Sequence, residues 1–446
     1  MKEKEILEGV KNRLGIEELN PMQKEMLAKG TESRDIILLS PTGSGKTLAF
    51  TLPVLKLMKP STGRIQCVVI APSRELVIQI ATVMREAGKV FRVTALYGGH
   101  KVEDEVNSLK VVPDIVVATP GRLLDHSVRK NLELLPVRML VLDEFDKTLE
   151  LGFEEEMAKL MKRLKNVSRI ILTSATNSDV FPEFLKLDNP VTVDYSQETE
   201  EVRGRMNIRR VKTESNDKLE GLLALLYNIN ADTEPHDKVM IFVNHRESAE
   251  RIYEFLRKKK VAAVLYHGAL EQKDRETAVA LFNNGSRPVI VATDLAARGL
   301  DIEKVKSVIH YHQPLTEQAY IHRNGRTARV DKEGDVYILT GPEEELKEFV
   351  SPDGEYTLDY DLKNDLLQKF MTLYISGGKR EKLSKGDILG FLTKECDVKG
   401  SDIGKIDVFD HYSLVAVKDA EVPMLLNKAE GKKLKGEKRR IRTLNK

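Results

Sequence analysis

Aliphatic and β-branched runs recur along the first half of the chain with amphipathic stretches between them: Asp35 to Leu39, Ile65 to Ile70, Val90 to Tyr97, Asp114 to Ala118, Met139 to Leu142, Arg169 to Leu172 and Val191 to Val193. Short apolar runs bounded by turn residues and separated by helical lengths predict the strands of a parallel sheet with helices on both faces. The rhythm then restarts with Val239 to Val243, Ala262 to Tyr266, Val289 to Ala292, Ser307 to His310 and Val336 to Leu339. Two α/β domains in series are expected. Between them Ser196-Gln197-Glu198-Thr199-Glu200-Glu201 is polar and aperiodic, and reads as a linker. Past Leu339, Gly341-Pro342 and Ser351-Pro352-Asp353-Gly354 break the pattern. Thr372 to Ile375, a helical stretch from Lys385 to Leu392, Ile406 to Phe409 and Ser413 to Val417 then predict a small α+β sheet. The expected division is 1–195, a linker 196–204, 205–345, a second linker 346–369, and 370–446.

Length agrees with that division, since 446 residues exceed one ordinary core and a norm of roughly 150 per domain suggests about three. With 41% apolar and 31% charged residues the composition is that of a soluble globular protein. Met1-Lys2-Glu3-Lys4-Glu5 has no apolar segment behind it, and no run approaches the ~18 apolar residues of a membrane span. A cytoplasmic protein without a membrane partner is expected. Cys67 and Cys396 are too few for a disulfide framework or a zinc site and read as reduced thiols. The net charge of +2 conceals a basic end, Lys428, Lys432, Lys433, Lys435, Lys438, Arg439, Arg440, Arg442 and Lys446 against Glu430 and Glu437. That end is either a solvated tail or a surface for a polyanion.

Chemistry concentrates first at Ser40-Pro41-Thr42-Gly43-Ser44-Gly45-Lys46-Thr47, directly after the run Asp35 to Leu39. A strand emptying into a glycine-rich turn that ends Gly-Lys-Thr is a phosphate cradle: backbone N–H groups crowd the phosphates, the lysine meets the β/γ oxygens, and the threonine hydroxyl serves Mg²⁺. Ser40 stands where the pattern usually opens with Gly or Ala. Asp143-Glu144, at the end of the run Met139 to Leu142, supplies the matching acids, Asp143 for the metal shell and Glu144 to polarise a water for in-line attack. In His322-Arg323-Asn324-Gly325-Arg326-Thr327-Ala328-Arg329, the three-residue spacing of Arg326 and Arg329 puts both guanidiniums on one side of a helical turn, suited to a phosphate.

Read in order, Gln23 after Asn20-Pro21-Met22, the cradle, Pro72-Ser73-Arg74-Glu75-Leu76, Gly98-Gly99, Thr119-Pro120-Gly121-Arg122, Asp143-Glu144-Phe145-Asp146, Ser174-Ala175-Thr176, Val243-Asn244, His267-Gly268, Gln272 to Arg275, Thr293 to Asp301 and His322 to Arg329 resemble the DEAD-box ATP-dependent RNA helicases through both α/β domains. The resemblance implies two tandem RecA-like domains, ATP and Mg²⁺ as cofactors, and RNA as partner. It implies that Gln23 reads adenine, Asp301 meets the ribose, and Thr42, Gly43, Ser44, Gly45, Lys46 and Thr47 hold the phosphates, with Thr47 and Asp143 on the metal. Lys46, Asp143, Glu144, Arg326 and Arg329 would then be catalytic, the last two as arginine fingers. Ser174 and Thr176 would couple nucleotide state to RNA. Arg74, Gly99, Thr119, Arg122, Asn244, Arg275 and Thr293 would line the RNA backbone, which hydroxyls, guanidiniums and close glycine backbone suit without reading bases. For Arg74 and Arg275 a surface salt bridge is the other reading.

Three positions depart from the family. Phe145 replaces the alanine of the Asp-Glu-Ala-Asp block, which costs about 1 to 3 kcal/mol unless its pocket is reshaped. Ile16 stands where an aromatic usually stacks on adenine, and Ala328 where glycine is common, a change tolerable on a helix. The third domain, in Gly404 to Phe409 and Lys433-Leu434-Lys435-Gly436, resembles the RRM-like RNA-binding module of DbpA-type helicases, with only scattered Tyr374, Phe409 and Tyr412 as sheet aromatics. The implied activity is RNA-stimulated ATP hydrolysis with local unwinding of short structured RNA, the targets being ribosomal RNA and pre-ribosomal particles during large-subunit assembly, by a monomer. The alternative is an ATP-gated RNA clamp or scaffold whose hydrolysis times release.

Overall fold

The computed structural model describes residues 2–41, 44–99, 102–174, 181–196, 203–232, 237–294, 302, 305–328, 333–363 and 370–444. The first sheet comprises β1 (Asp35–Leu39), β2 (Cys67–Ile70), β3 (Val93–Leu96), β4 (Ile115–Ala118), β5 (Met139–Leu142), β6 (Arg169–Ser174) and β7 (Val191–Asp194). Its order is β3-β4-β2-β5-β6-β1-β7, with parallel pairing throughout. Strand alternation divides the side chains between two cores: Val69, Val117 and Val141 enter one, Val68, Val116 and Leu140 the other. That is why these strands read as unbroken apolar runs, since both faces are covered.

The second sheet has β8 (Met206–Lys212), β9 (Lys238–Val243), β10 (Ala263–Tyr266), β11 (Val289–Thr293), β12 (Val305–His310), β13 (Gly334–Thr340) and β14 (Gly354–Glu355), ordered β10-β11-β9-β12-β13-β8-β14. The apolar pattern does not announce β8. Its sequence mixes Asn207, Arg209, Arg210 and Lys212 with apolar residues, because it lies next to the edge, paired over its length to β13 but only to the two-residue β14 on the other side.

The third sheet, in one compact unit with the second, is antiparallel: β15 (Phe370–Ser376), β16 (Ile403–Val408), β17 (Tyr412–Lys418) and, after a separate two-stranded hairpin of β18 (Lys433–Leu434) and β19 (Glu437–Lys438), β20 (Ile441–Thr443), in the order β16-β17-β15-β20. Leu373, Ile375, Val415 and Val417 pack with Ile388, Leu392 and Leu425 of the helices Lys385–Lys394 and Val422–Ala429. The solvated-tail reading of the basic end is corrected. Lys428 is helical, Lys433 to Lys438 form the hairpin, and β20 pairs Thr443 with Leu373 and Ile441 with Ile375. The opposite face of this sheet is also covered: Thr372, Leu414 and Ala416 are at most 2% exposed. There the Thr372 hydroxyl accepts from Asn284 Nδ2 at 2.9 Å and lies 2.6 Å from Ser286 Oγ, both from the loop preceding β11.

Candidate active site and expected RNA contacts

β1 and β5 flank β6, so the phosphate loop and the acidic pair open from strands on either side of it. Lys46 is the first residue of the helix Lys46–Leu57, and its buried ammonium donates to the Ser40 carbonyl at 2.6 Å and the Pro41 carbonyl at 2.9 Å. The Ser40 hydroxyl bonds Ser44 Oγ at 2.6 Å, an internal tie that Gly or Ala could not make. Gly45 has φ +92°, and a Cβ there would sit 2.6 Å from Gln23 Nε2. Gln23 closes the cap of the helix Pro21–Glu32, taking the Asn20 N–H at 3.0 Å, and donates to the Gly45 carbonyl at 3.4 Å, while Asn20 Nδ2 donates to the Ser44 carbonyl at 2.9 Å. The structure therefore places Gln23 beneath the cradle as a brace.

Burial depresses the Lys46 pKa, while Glu144, Asp143 and Asp146 act in the other direction. Asp143, 2% exposed, is pushed up by burial and held down by Thr173 and by Lys46. Thr173 lies outside the motifs, one residue before the Ser174 segment. Its hydroxyl donates to Asp143 Oδ1 at 2.5 Å and accepts the Glu144 N–H at 3.1 Å, fixing both acids at once. Glu144 sits at φ +46°, left-handed backbone that a non-glycine residue adopts only under constraint, a pattern that gathers at functional sites. Ser174 accepts the Ser40 N–H at 3.1 Å through its carbonyl. Thr42, Gly43, Thr176, Asp301 and Arg329 lie outside the described residues.

Arg74, Gly99, Thr119 and Arg122 follow β2, β3 and β4, which adjoin one another at the other half of the same carboxyl edge. Gly99 has φ +102°, and a Cβ on it would lie 2.3 Å from Arg74 Nη1, so these two expected RNA contacts are packed together. Thr119 precedes the helix Pro120–Val128, and Arg122 Nε lies 2.6 Å from Glu105.

In the second domain Asn244 directly follows β9 and Thr293 ends β11, neighbouring strands, and Arg275 lies in the helix Gln272–Asn283, its Nη2 donating to Gln272 at 2.5 Å. Asn244 Nδ2 donates to the Gln313 carbonyl at 3.1 Å and its Oδ1 accepts from Arg323 at 2.7 Å. Arg323, 1% exposed, also grips both Asp294 oxygens, at 2.5 and 2.7 Å, and the His312 carbonyl at 2.7 Å. It is a hub that the spacing of Arg326 and Arg329 does not single out. The helical placement of Arg326 is corrected: the helix Glu317–Asn324 stops before it, Arg326 lies in the following turn, 5% exposed, and Ala328 has φ +53°. Ala328 is therefore in the left-handed region and not on a helix as expected; glycine would be unstrained there, and alanine costs about 1 to 2 kcal/mol.

Family models match in the same order: DEAD/DEAH box helicase at residues 20–183, helicase conserved C-terminal domain at 217–331, and DbpA RNA binding domain at 372–443. The chain is 32% identical over 445 residues to the ATP-dependent RNA helicase DbpA of Escherichia coli, covering 97% of this chain and 96% of that one. The chain is a DEAD-box ATP-dependent RNA helicase of the DbpA type. DbpA of Bacillus subtilis is 29% identical over 466 residues, again covering 97% and 96%. Among solved structures, Saccharomyces cerevisiae Dbp5 bound to RNA and ADP BeF3 aligns with TM-score 0.67 and 26% identity over 76% of this chain and 88% of that chain. Mss116 bound to ssRNA and UDP-BeF aligns with TM-score 0.69 and 26% identity over 80% and 78%.

In this helicase Phe145 is accommodated within the core. The ring is 3% exposed in the core and meets Phe184 edge-on, centroids 6.5 Å apart. Ile16 lines a groove of about 890 Å³ with Leu7, Val10, Leu19 and Leu27. Sheet aromatics that looked scattered are gathered: Phe409 and Tyr412 stack at 4.6 Å, Tyr412 and Tyr374 at 5.7 Å, and the Arg442 guanidinium lies 5.0 Å from the Tyr374 ring. Cys67 and Cys396 are free and buried. Among the described residues no helix is long and apolar enough to cross a membrane.

Proposed function

We propose that this helicase hydrolyses ATP in response to RNA and opens short structured RNA locally, with ribosomal RNA of the assembling large subunit as its target. The observation that carries the catalytic part is the Asp143–Glu144 pair, tied through Thr173 of β6 to the strand beside the Lys46 loop. Lys46 binds the β/γ oxygens, and Glu144, held at its strained backbone, orients the attacking water and takes its proton. Asp143 is a buried carboxylate, and carboxylate and hydroxyl oxygens suit a hard cation that completes its shell with phosphate oxygens, so Asp143 and Thr47 would hold Mg²⁺. Bound there, the ion would neutralise charge on the phosphates.

Gln23 and Asp301 contact the nucleoside, and closure of the two α/β domains on ATP and RNA carries Arg326 and Arg329 to the γ-phosphate, each contributing roughly 10³ or more in rate. Ser174 and Thr176 relay nucleotide state to Arg74, Gly99, Thr119, Arg122, Asn244, Arg275 and Thr293 on the RNA backbone. The third domain tethers a cytoplasmic monomer near its site by raising effective concentration. Likeness to DbpA along nearly the whole chain, third domain included, supports the target.

Glu144→Gln should lower RNA-stimulated turnover by at least about 100-fold while ATP-dependent RNA binding persists; retained turnover refutes the role of Glu144. Short-duplex separation, with Lys46→Ala as control, checks unwinding, and ATP-gated binding without separation makes the protein a clamp. Crosslinking to cellular RNA checks the target, and recovery of messenger RNA without large-subunit RNA removes it.

A further inference from the structure

Glu105 belongs to none of the motifs read from the chain, yet its carboxylate joins two of them. It lies in the short helix Val102–Leu109 and is 2% exposed. Oε1 accepts the N–H of Tyr97 at 2.8 Å, and Tyr97 immediately precedes Gly98-Gly99. Oε2 lies 2.6 Å from Arg122 Nε and 2.7 Å from His126 Nε2. The His126 ring is fully buried, and Asn131 Nδ2 donates to its Nδ1 at 3.0 Å, which leaves the proton on Nε2 to be donated to Glu105. Both carboxylate oxygens are thus engaged, one by the backbone at the end of β3 and the other by a guanidinium just past β4, the neighbouring strand.

We propose that Glu105 is a positioning residue for RNA: it sets the distance between the Gly98-Gly99 turn and the Arg122 guanidinium so that both meet the backbone of one strand. This rests on the reading that Gly99 and Arg122 contact RNA. The geometry supports positioning over simple charge neutralisation. A carboxylate beside Arg122 reduces the positive potential offered to a phosphate, so as an electrostatic element it opposes RNA binding. What it contributes is fixed geometry: a buried side chain holds the guanidinium at ion-pair distance, and the same side chain holds the turn at Tyr97. Sequence separation hid the arrangement, because Glu105 is 8 residues from Tyr97 and 21 from its partner His126.

Geometry and charge are separable by substitution. Glu105→Asp keeps the charge and shortens the reach, whereas Glu105→Gln removes the charge and turns an NH2 group towards either the Tyr97 N–H or the donors of Arg122 and His126, so both disturb the geometry while only one changes the charge. In the full-length protein the RNA concentration for half-maximal ATPase should rise about tenfold in both variants, with kcat at saturating RNA and the KM for ATP unchanged. Tighter RNA binding in Glu105→Gln with a wild-type Glu105→Asp overturns the proposal in favour of charge balance. Equal losses in kcat and both half-saturation constants overturn it in favour of general destabilisation. Arg122→Ala is the parallel arm. If it leaves RNA half-saturation unchanged, the reading of this face as RNA-binding fails and the proposal falls with it. If it weakens RNA while Glu105→Asp does not, only the proposal fails.

Discussion

Thr173 shows how little of a catalytic centre its motif need contain. Its hydroxyl serves Asp143 and the Glu144 N–H together, so Thr173→Val should destabilise the first domain by about 1 to 3 kcal/mol through the unpaired buried groups. It should also lower kcat with little change in RNA half-saturation, as urea unfolding beside ATPase kinetics would show. Phe145 makes the complementary point. Its ring is buried against Phe184, so Phe145→Ala, although it restores the residue usual in the family, should cost about 3 kcal/mol on urea unfolding by leaving a cavity. These two positions were legible to different degrees: Phe145 stood out as a departure, while its packing partner Phe184 lies far along the chain.

β12 carries a pH dependence. Its last residue, His310, is fully buried, with its pKa depressed to about 3 by desolvation and by Arg323, and its Nε2 donates to Asn324 at 2.8 Å. The folded value lies below the unfolded value of about 6.5, so its contribution is present above that pH and is lost as pH falls towards 3, at about 1.4 kcal/mol per pH unit. Urea unfolding at about pH 7 and about pH 5 should show this loss in the wild type and a smaller one in His310→Asn. β20 sets the terms for testing the basic end. Ending the chain after Arg440 removes a strand paired to β15 and exposes an edge, so it should destabilise the third domain. Replacing the exposed Lys433 and Lys438 by Gln keeps the sheet, and the slope of log affinity against log salt should become shallower by roughly 0.7 for each phosphate these lysines had neutralised. An unchanged slope would take the hairpin out of RNA binding.

The second and third sheets are joined by the buried bonds of Thr372 to Asn284 and Ser286. Thr372→Asp places a carboxylate in that seat with no cation among its bonded partners, and should split their unfolding into two transitions and enlarge the particle in small-angle scattering. A single unchanged transition would show the seat to be dispensable. The strands of all three sheets were legible where they carry apolar runs, because such runs must be buried whichever neighbours they find. The phosphate loop was legible because its eight residues, Ser40 to Thr47, are contiguous. β8 and β20, charged and near sheet edges, were not. Nor could the chain announce that β6 would stand between β1 and β5, that Glu105 would bridge β3 and β4, or that Arg323 would gather Asn244, Asp294 and His312. Local patterning records what a segment must bury and which backbone it can adopt, whereas hydrogen-bond partners tens of residues apart are chosen by the order in which strands pack.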